Sequence, residues 1–114
     1  MQREVTSEFT KSERKALREL SASTYEAEAH LMLEELDAEF QSWRIGEMES
    51  SELLRAIHEF HQHQSRELWS MYQGLEERDM VARGIALGLL KEPVPEELRT
   101  KLAPLIELYE KSNR

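Results

Sequence analysis

Residues 10–46 read TKSERKALRELSASTYEAEAHLMLEELDAEFQSWRIG, and this stretch decides the fold. No Pro or Gly falls between Lys11 and Arg44. Thr10-Lys11-Ser12-Glu13 fits a capping box: the Thr10 hydroxyl accepts from the Glu13 amide, and the Glu13 carboxylate reaches back. Gly46 supplies the usual stop. Between them, Leu17, Leu20, Thr24, Ala27 and Leu31 form one stripe at helical spacing. Ala22, Tyr25, Ala29, Leu33, Leu36, Phe40 and Trp43 form a second. A straight helix of this length extends about 50 Å, whereas a compact globule of this chain length is only about 35 Å across. Either the helix breaks at the weak helix formers Ser21-Ala22-Ser23-Thr24, or a second chain covers the overhang.

Outward from this segment the chain stays helical. It carries sixteen Leu against seven Ile and Val, with only four Gly and three Pro in 114 residues. That composition suits helices and offers little turn chemistry for a sheet. The expected fold is all-α, a largely antiparallel bundle of four to five helices in a single domain, 1–114, with a long N-terminal helix and fraying over 1–9. A second helix starts near Ser50 or Ser51 and carries Leu53, Leu54, Ile57, Phe60 and His61. The polar run Gln62-His63-Gln64-Ser65 leaves open whether 50–74 is one helix or two. A further helix spans about Arg78 to Leu90. Pro95 opens the last helix, which runs to about Lys111, and Pro104 within it should kink or restart it. No internal repeat is evident.

Cysteine is absent, which excludes disulfides and thiolate metal sites. The charged start, Met1-Gln2-Arg3-Glu4, has no apolar segment behind it, so no signal peptide is expected. Ile85–Leu90 is the longest apolar run and is far shorter than a bilayer span. A cytoplasmic location is the default. The net charge of −8 disfavours direct contact with nucleic acid or an anionic membrane.

The charge layout of the first helix opposes its macrodipole. Lys11, Arg14, Lys15 and Arg18 crowd its start. Glu19, Glu26, Glu28, Glu34, Glu35, Asp37 and Glu39 follow with no Lys or Arg until Arg44. Two copies laid antiparallel would set the basic start of one beside the acidic end of the other. A homodimer interface of Lys11, Arg14, Lys15, Arg18, Ala22, Glu26, Ala29, Leu33, Glu35, Leu36, Glu39, Phe40 and Trp43 is the expectation, with a basic protein as the other possible partner. Within the chain, Arg55, Arg66, Arg78 and Arg83 are the competing cover for the acids.

Three of four histidines lie in His58-Glu59-Phe60-His61-Gln62-His63. On an α-helix His58 and His61 share a face. With His30 and a carboxylate from Glu26 or Glu34 they would make a divalent-metal site, the alternative reading of function. The plainer reading puts His61 on the apolar line of Leu54, Ile57, Leu68 and Tyr72. No catalytic residue is assigned: the sequence holds no zinc-protease, di-iron, phosphate-loop or nucleophile motif. Trp43 and Trp69 read as core residues or interface anchors. Gly84-x-x-x-Gly88 reads as a close approach between helices.

Gly46-Glu47, Ile57-His58-Glu59-Phe60-His61, Ser65-Arg66-Glu67-Leu68-Trp69, Val81-Ala82-Arg83-Gly84-Ile85-Ala86 and Val94-Pro95-Glu96-Glu97-Leu98 resemble a family of short bacterial all-helical proteins without an established function. The resemblance covers most of residues 10–110. It implies a stand-alone bacterial protein and brings no activity with it.

Overall fold

The computed structural model describes residues 8–112. All the regular structure there is helical: α1 (Lys11–Arg44), α2 (Ser50–Glu59), a π-helical segment (Phe60–Ser65), α3 (Arg66–Gly74), α4 (Glu77–Ala86) and α5 (Glu96–Ser112). The all-α class and the long first helix are as read from the sequence. By its contacts the chain divides into two compact units. A core unit contains residues up to Glu26 and from Leu75 onward, and an intervening segment covers Ala27–Gly74.

α1 starts at the capping box. The Glu13 amide donates to Thr10 Oγ1 at 3.1 Å, and the Thr10 amide donates to Glu13 Oε1 at 2.8 Å. The helix does not break at Ser21–Thr24. Two of the three hydroxyl groups there turn back on their own helix: Ser21 Oγ donates to the Arg18 carbonyl at 3.1 Å and Thr24 Oγ1 to the Leu20 carbonyl at 2.8 Å, while Ser23 bonds Glu92. Side chains that would otherwise compete for backbone groups are thereby satisfied inside the helix. At its end, Gly46 takes φ +86°, with Gly46 N–H to Trp43 O and Glu47 N–H to Ser42 O. That bond pair is a Schellman stop.

The core unit is built on Phe9, Leu17, Leu20, Val81, Ala82, Leu98, Leu102 and Ile106, all buried, with Ala16, Ile85, Leu90, Val94, Leu105 and Tyr109 packed around them. Burying a Leu or Ile side chain of this kind contributes about 1.5–3 kcal/mol. Phe9 belongs to this cluster, so the fraying expected for 1–9 fails at that residue, and residues 1–7 lie outside the described range. Lys101 ties the start of α1 to α5. Its Nζ donates to Glu13 Oε1 at 2.7 Å and to the Glu8 carbonyl at 2.9 Å, and it lies 5.8 Å from the centre of the Phe9 ring.

Gly84 of α4 lies against Thr24 of α1. A Cβ at position 84 would fall 2.6 Å from Thr24 Cγ2 and 2.7 Å from Thr24 Oγ1. Gly84 is therefore the close-approach glycine, whereas Gly88 has another task. At φ +73°, with Gly88 N–H to Ile85 O and Leu89 N–H to Gly84 O, it ends α4 in a second Schellman stop. The helix accordingly closes at Ala86 rather than near Leu90. Pro104 neither breaks nor restarts α5. It sits on an exposed face, where water can satisfy the carbonyl that loses its amide partner.

In the 27–74 segment, the second part of α1 and the rod formed by α2, the π segment and α3 run side by side as a helical hairpin. Trp43 Nε1 donates to Ser50 Oγ at 3.0 Å near the turn, and Tyr72 Oη donates to Glu28 Oε1 at 2.9 Å at the far end, which fixes the arms as antiparallel. α2 opens on a capping box at Glu49, whose amide donates to Glu52 Oε1 at 2.9 Å. Residues 50–74 are one continuous rod, because the polar run becomes a π-helical turn instead of a break.

That turn has a register consequence. The burial pattern of residues 51–59 recurs unchanged at 66–74, fifteen residues on. Leu53 and Leu68 are the buried pair, Leu54 and Trp69 the exposed pair, and Ala56-Ile57 and Met71-Tyr72 the half-buried pairs. A π turn accommodates one residue more than the α-helix it interrupts. Without that residue the spacing is fourteen, two heptads, which keeps one face toward a neighbouring helix. The absence of a repeat inferred from the sequence is thus corrected. Glu52-Leu53-Leu54 and Glu67-Leu68-Trp69 are its two copies.

Candidate interaction surface

Among the described residues of the hairpin, only Leu53 and Leu68 are buried apolar side chains. Leu31, Leu33, Trp43, Ile45, Leu54 and Trp69 are exposed, with Leu54 at 66% and Trp69 at 59%. In the core unit the exposed large apolar side chains are Tyr25 and Leu108. An isolated exposed Leu is ordinary, whereas several on one short element mark a contact surface.

The rod gives these residues an order. Leu54, His58 and His61 follow at i, i+4 and i+7, and the π turn returns Trp69 to the same side. The stripe lies beside the inward line of Leu53, Ile57 and Leu68. Neither Trp is core, contrary to the plain reading of their spacing. Trp43 keeps its indole N–H on Ser50, and Trp69 stands clear of the fold. His61 is likewise exposed rather than on the inward line, because that line passes through Ile57 and Phe60 instead. A shallow concavity of about 510 Å³ lies on the same rod, lined by Gln62, Arg66, Glu67, Ser70 and Met71. All five come from one rod, so it lacks a second wall.

Charge separates the hairpin further. Residues 27–74 hold ten acids against Arg44, Arg55 and Arg66, a net −7. The remainder holds thirteen acids against twelve Lys and Arg, a net −1. All four histidines are in the hairpin. Neither Arg55 nor Arg66 is ion-paired with an acid of α1 among the described residues, so the internal cover considered for those acids is not formed there. Arg78 serves the core unit, 3.2 Å from Glu76 and 3.5 Å from Glu8.

Of the metal candidates, His30 Nε2 lies 3.4 Å from Glu34 Oε2 on the exposed surface of α1. His58 and His61 are exposed on the rod, and Glu26 is exposed in the core unit. No three His, Asp or Glu side chains among the described residues are grouped as a metal site would require. Of the interface candidates, Lys15 pairs with Glu19 at 3.3 Å and Arg14 Nη1 donates to the Phe9 carbonyl at 2.8 Å. Lys11, Arg18, Ala22, Glu26, Leu33, Glu35 and Trp43 are exposed, while Ala29, Leu36, Glu39 and Phe40 are half-buried.

Three groups of the core unit have shifted titrations. The Lys101 ammonium and the Thr10 amide hold the Glu13 carboxyl below its ordinary value of 4.5. A hydrogen bond from Ser23 holds Glu92 low. Burial, reinforced by the adjacent Asp79 carboxylate, pushes the Tyr109 phenol up. Each is explained by a structural partner.

Comparison with known protein families, with curated proteins and with solved structures finds no match. The family resemblance drawn from the sequence therefore gains nothing further. No helix among the described residues is long and apolar enough to cross a membrane.

The sequence reading placed candidate interface residues on α1 and did not single out the outer stripe of the rod. The available signal was the fifteen-residue recurrence of Glu-Leu-Leu and Glu-Leu-Trp, which a strict helical period does not detect.

Proposed function

We propose that this chain is a non-enzymatic helical interaction module whose 27–74 hairpin receives a protein partner. The core unit is its folded base. The observation that carries the reading is the concentration of exposed large apolar side chains on a hairpin that buries only two of its own. The acidic balance supports a protein partner over nucleic acid or an anionic lipid surface, and we assign the module to the bacterial cytoplasm. A second copy, as the charge layout of α1 suggests, and a basic protein are the two occupants consistent with these features.

The test is a photo-crosslinking amino acid placed in turn at Leu54, Trp69 and Leu108, with the full chain expressed in its own host. Adducts at positions 54 and 69, and none above background at 108, are the expected result. Equal labelling at all three, or none at 54 and 69, would remove the hairpin as the contact surface. Light scattering at tens of micromolar reads the oligomeric state alongside.

A further inference from the structure

We infer that the occupant of the hairpin face is a basic amphipathic helix of another protein. This inference rests on the interaction reading above and adds the chemistry of the partner.

Shape is the first argument. Leu54, His58, His61 and Trp69 line one side of a continuous rod, and the span from Leu54 to Trp69 is about 22 Å at the α-helical rise. A straight stripe of that length fits a helix of about four turns that presents anchors at i, i+3, i+4 and i+7. An extended strand would find no open sheet edge among the described residues.

Charge is the second argument, and it chooses between partners. The exposed acids Glu34, Glu35 and Asp37 stand on the α1 arm, Glu47 and Glu49 on the turn, and Glu52, Glu59 and Glu67 along the rod. Three Arg oppose them. Joining two hairpins would bring −7 against −7 within less than a Debye length, which is about 8 Å at physiological ionic strength. A helix with apolar anchors flanked by Lys and Arg removes that repulsion and covers Leu54 and Trp69 in the same contact. Like charges brought together also act against the wrong partner, so the acids contribute selectivity as well as attraction.

The experiment has two parts. Adducts trapped at positions 54 and 69 are digested and the attached segment is sequenced by mass spectrometry. Purified full-length chain is then titrated calorimetrically with three synthetic peptides of equal length. One is a Lys/Arg-rich amphipathic helix, one has the same apolar positions with Glu in place of the bases, and one is a scrambled form of the first. A cross-linked segment rich in Lys and Arg at amphipathic spacing is expected, together with binding of the first peptide at least about tenfold tighter than either control. That binding should weaken severalfold at high salt. It should also fall about tenfold in a Leu54→Ser/Trp69→Ser chain whose thermal melt is unchanged. If the scrambled or acidic peptide binds equally well, or the trapped segment is neither basic nor amphipathic, the partner chemistry is wrong and the interaction reading survives. A purified dimer whose adducts join two copies through position 54 or 69 gives the face to a second copy and likewise overturns only this inference. No adduct and no peptide binding would remove both.

Discussion

The core unit and the hairpin are made from the same kind of amphipathic helix, yet they use it differently. In the core unit Val81, Leu98 and Leu102 are wholly inaccessible to solvent, and Thr24 is buried with its hydroxyl satisfied. In the hairpin a comparable supply of large apolar side chains leaves Leu33, Leu54 and Trp69 more than half exposed. Apolar content alone therefore does not decide what a helix packs against. What differs is the number of neighbours: the core unit closes three helices on one another, while each hairpin arm has one partner and an open flank. The contrast sets a closed, buried core in one region against an open apolar face in the other.

The sharpest way to break this assignment is to truncate one Leu in each region. Leu102→Ala should cost about 2–5 kcal/mol in denaturant unfolding, as for a fully packed core position. Leu54→Ala should stay within about 0.5 kcal/mol, the range for exposed sites. Comparable losses would mean that the hairpin face belongs to the fold. Next in size is Gly84→Ala. Its methyl group would overlap Thr24, so a loss of about 1–3 kcal/mol is expected. Thr24→Ala in the same chain removes both of the closest atoms, so the two substitutions should be strongly non-additive in a double-mutant cycle. Additive costs would refute the close approach as the reason for the glycine.

A smaller effect should appear only in acid. Glu13 is held as a carboxylate on folding, so its contribution is complete above its ordinary value of 4.5 and is lost as pH falls through the lowered folded value. Glu13→Gln should flatten that part of the stability–pH curve below about pH 4.5, read from melting temperature against pH. A variant whose acid limb matches the parent would show that the Lys101 contact contributes nothing to pH dependence. A further small effect is expected for deletion of Gln62. It takes the extra residue out of the π turn and leaves Leu53 and Leu68 fourteen apart, so stability should change by less than about 1 kcal/mol. Deletion of Ser70 instead would rotate Met71 and Tyr72 by about 100° and should be clearly worse. If the two deletions are equivalent, the register argument fails.

Much of the fold was legible in the chain. Thr10 with Glu13, and Gly46, marked both ends of α1 because caps and stops are local chemistry carried by a few adjacent side chains. The continuity of α1 through Ser21–Thr24 was not legible, since it depends on where two hydroxyls point and on Gly84 from far along the chain. The exposure of Trp43 and Trp69 was hidden for a related reason. Periodicity shows that a side chain lies on an apolar stripe, but not whether a second helix comes to cover it. His58 and His61 drew attention as ligands; their common face was legible from the α-helical period, but the return of Trp69 to that face depends on a π turn that the period cannot anticipate.

The burial of Thr24 bears on time as well as geometry. Its side chain is wholly inaccessible, its hydroxyl is bonded to Leu20, and Gly84 lies directly against it. Amide hydrogens on this part of α1 should exchange with solvent only when the core unit unfolds, whereas those near Leu31 and Leu33, on a half-covered arm, exchange through local openings. One unbroken helix thus carries two exchange regimes. The hairpin end can open and close many times within the lifetime of the fold that holds the other.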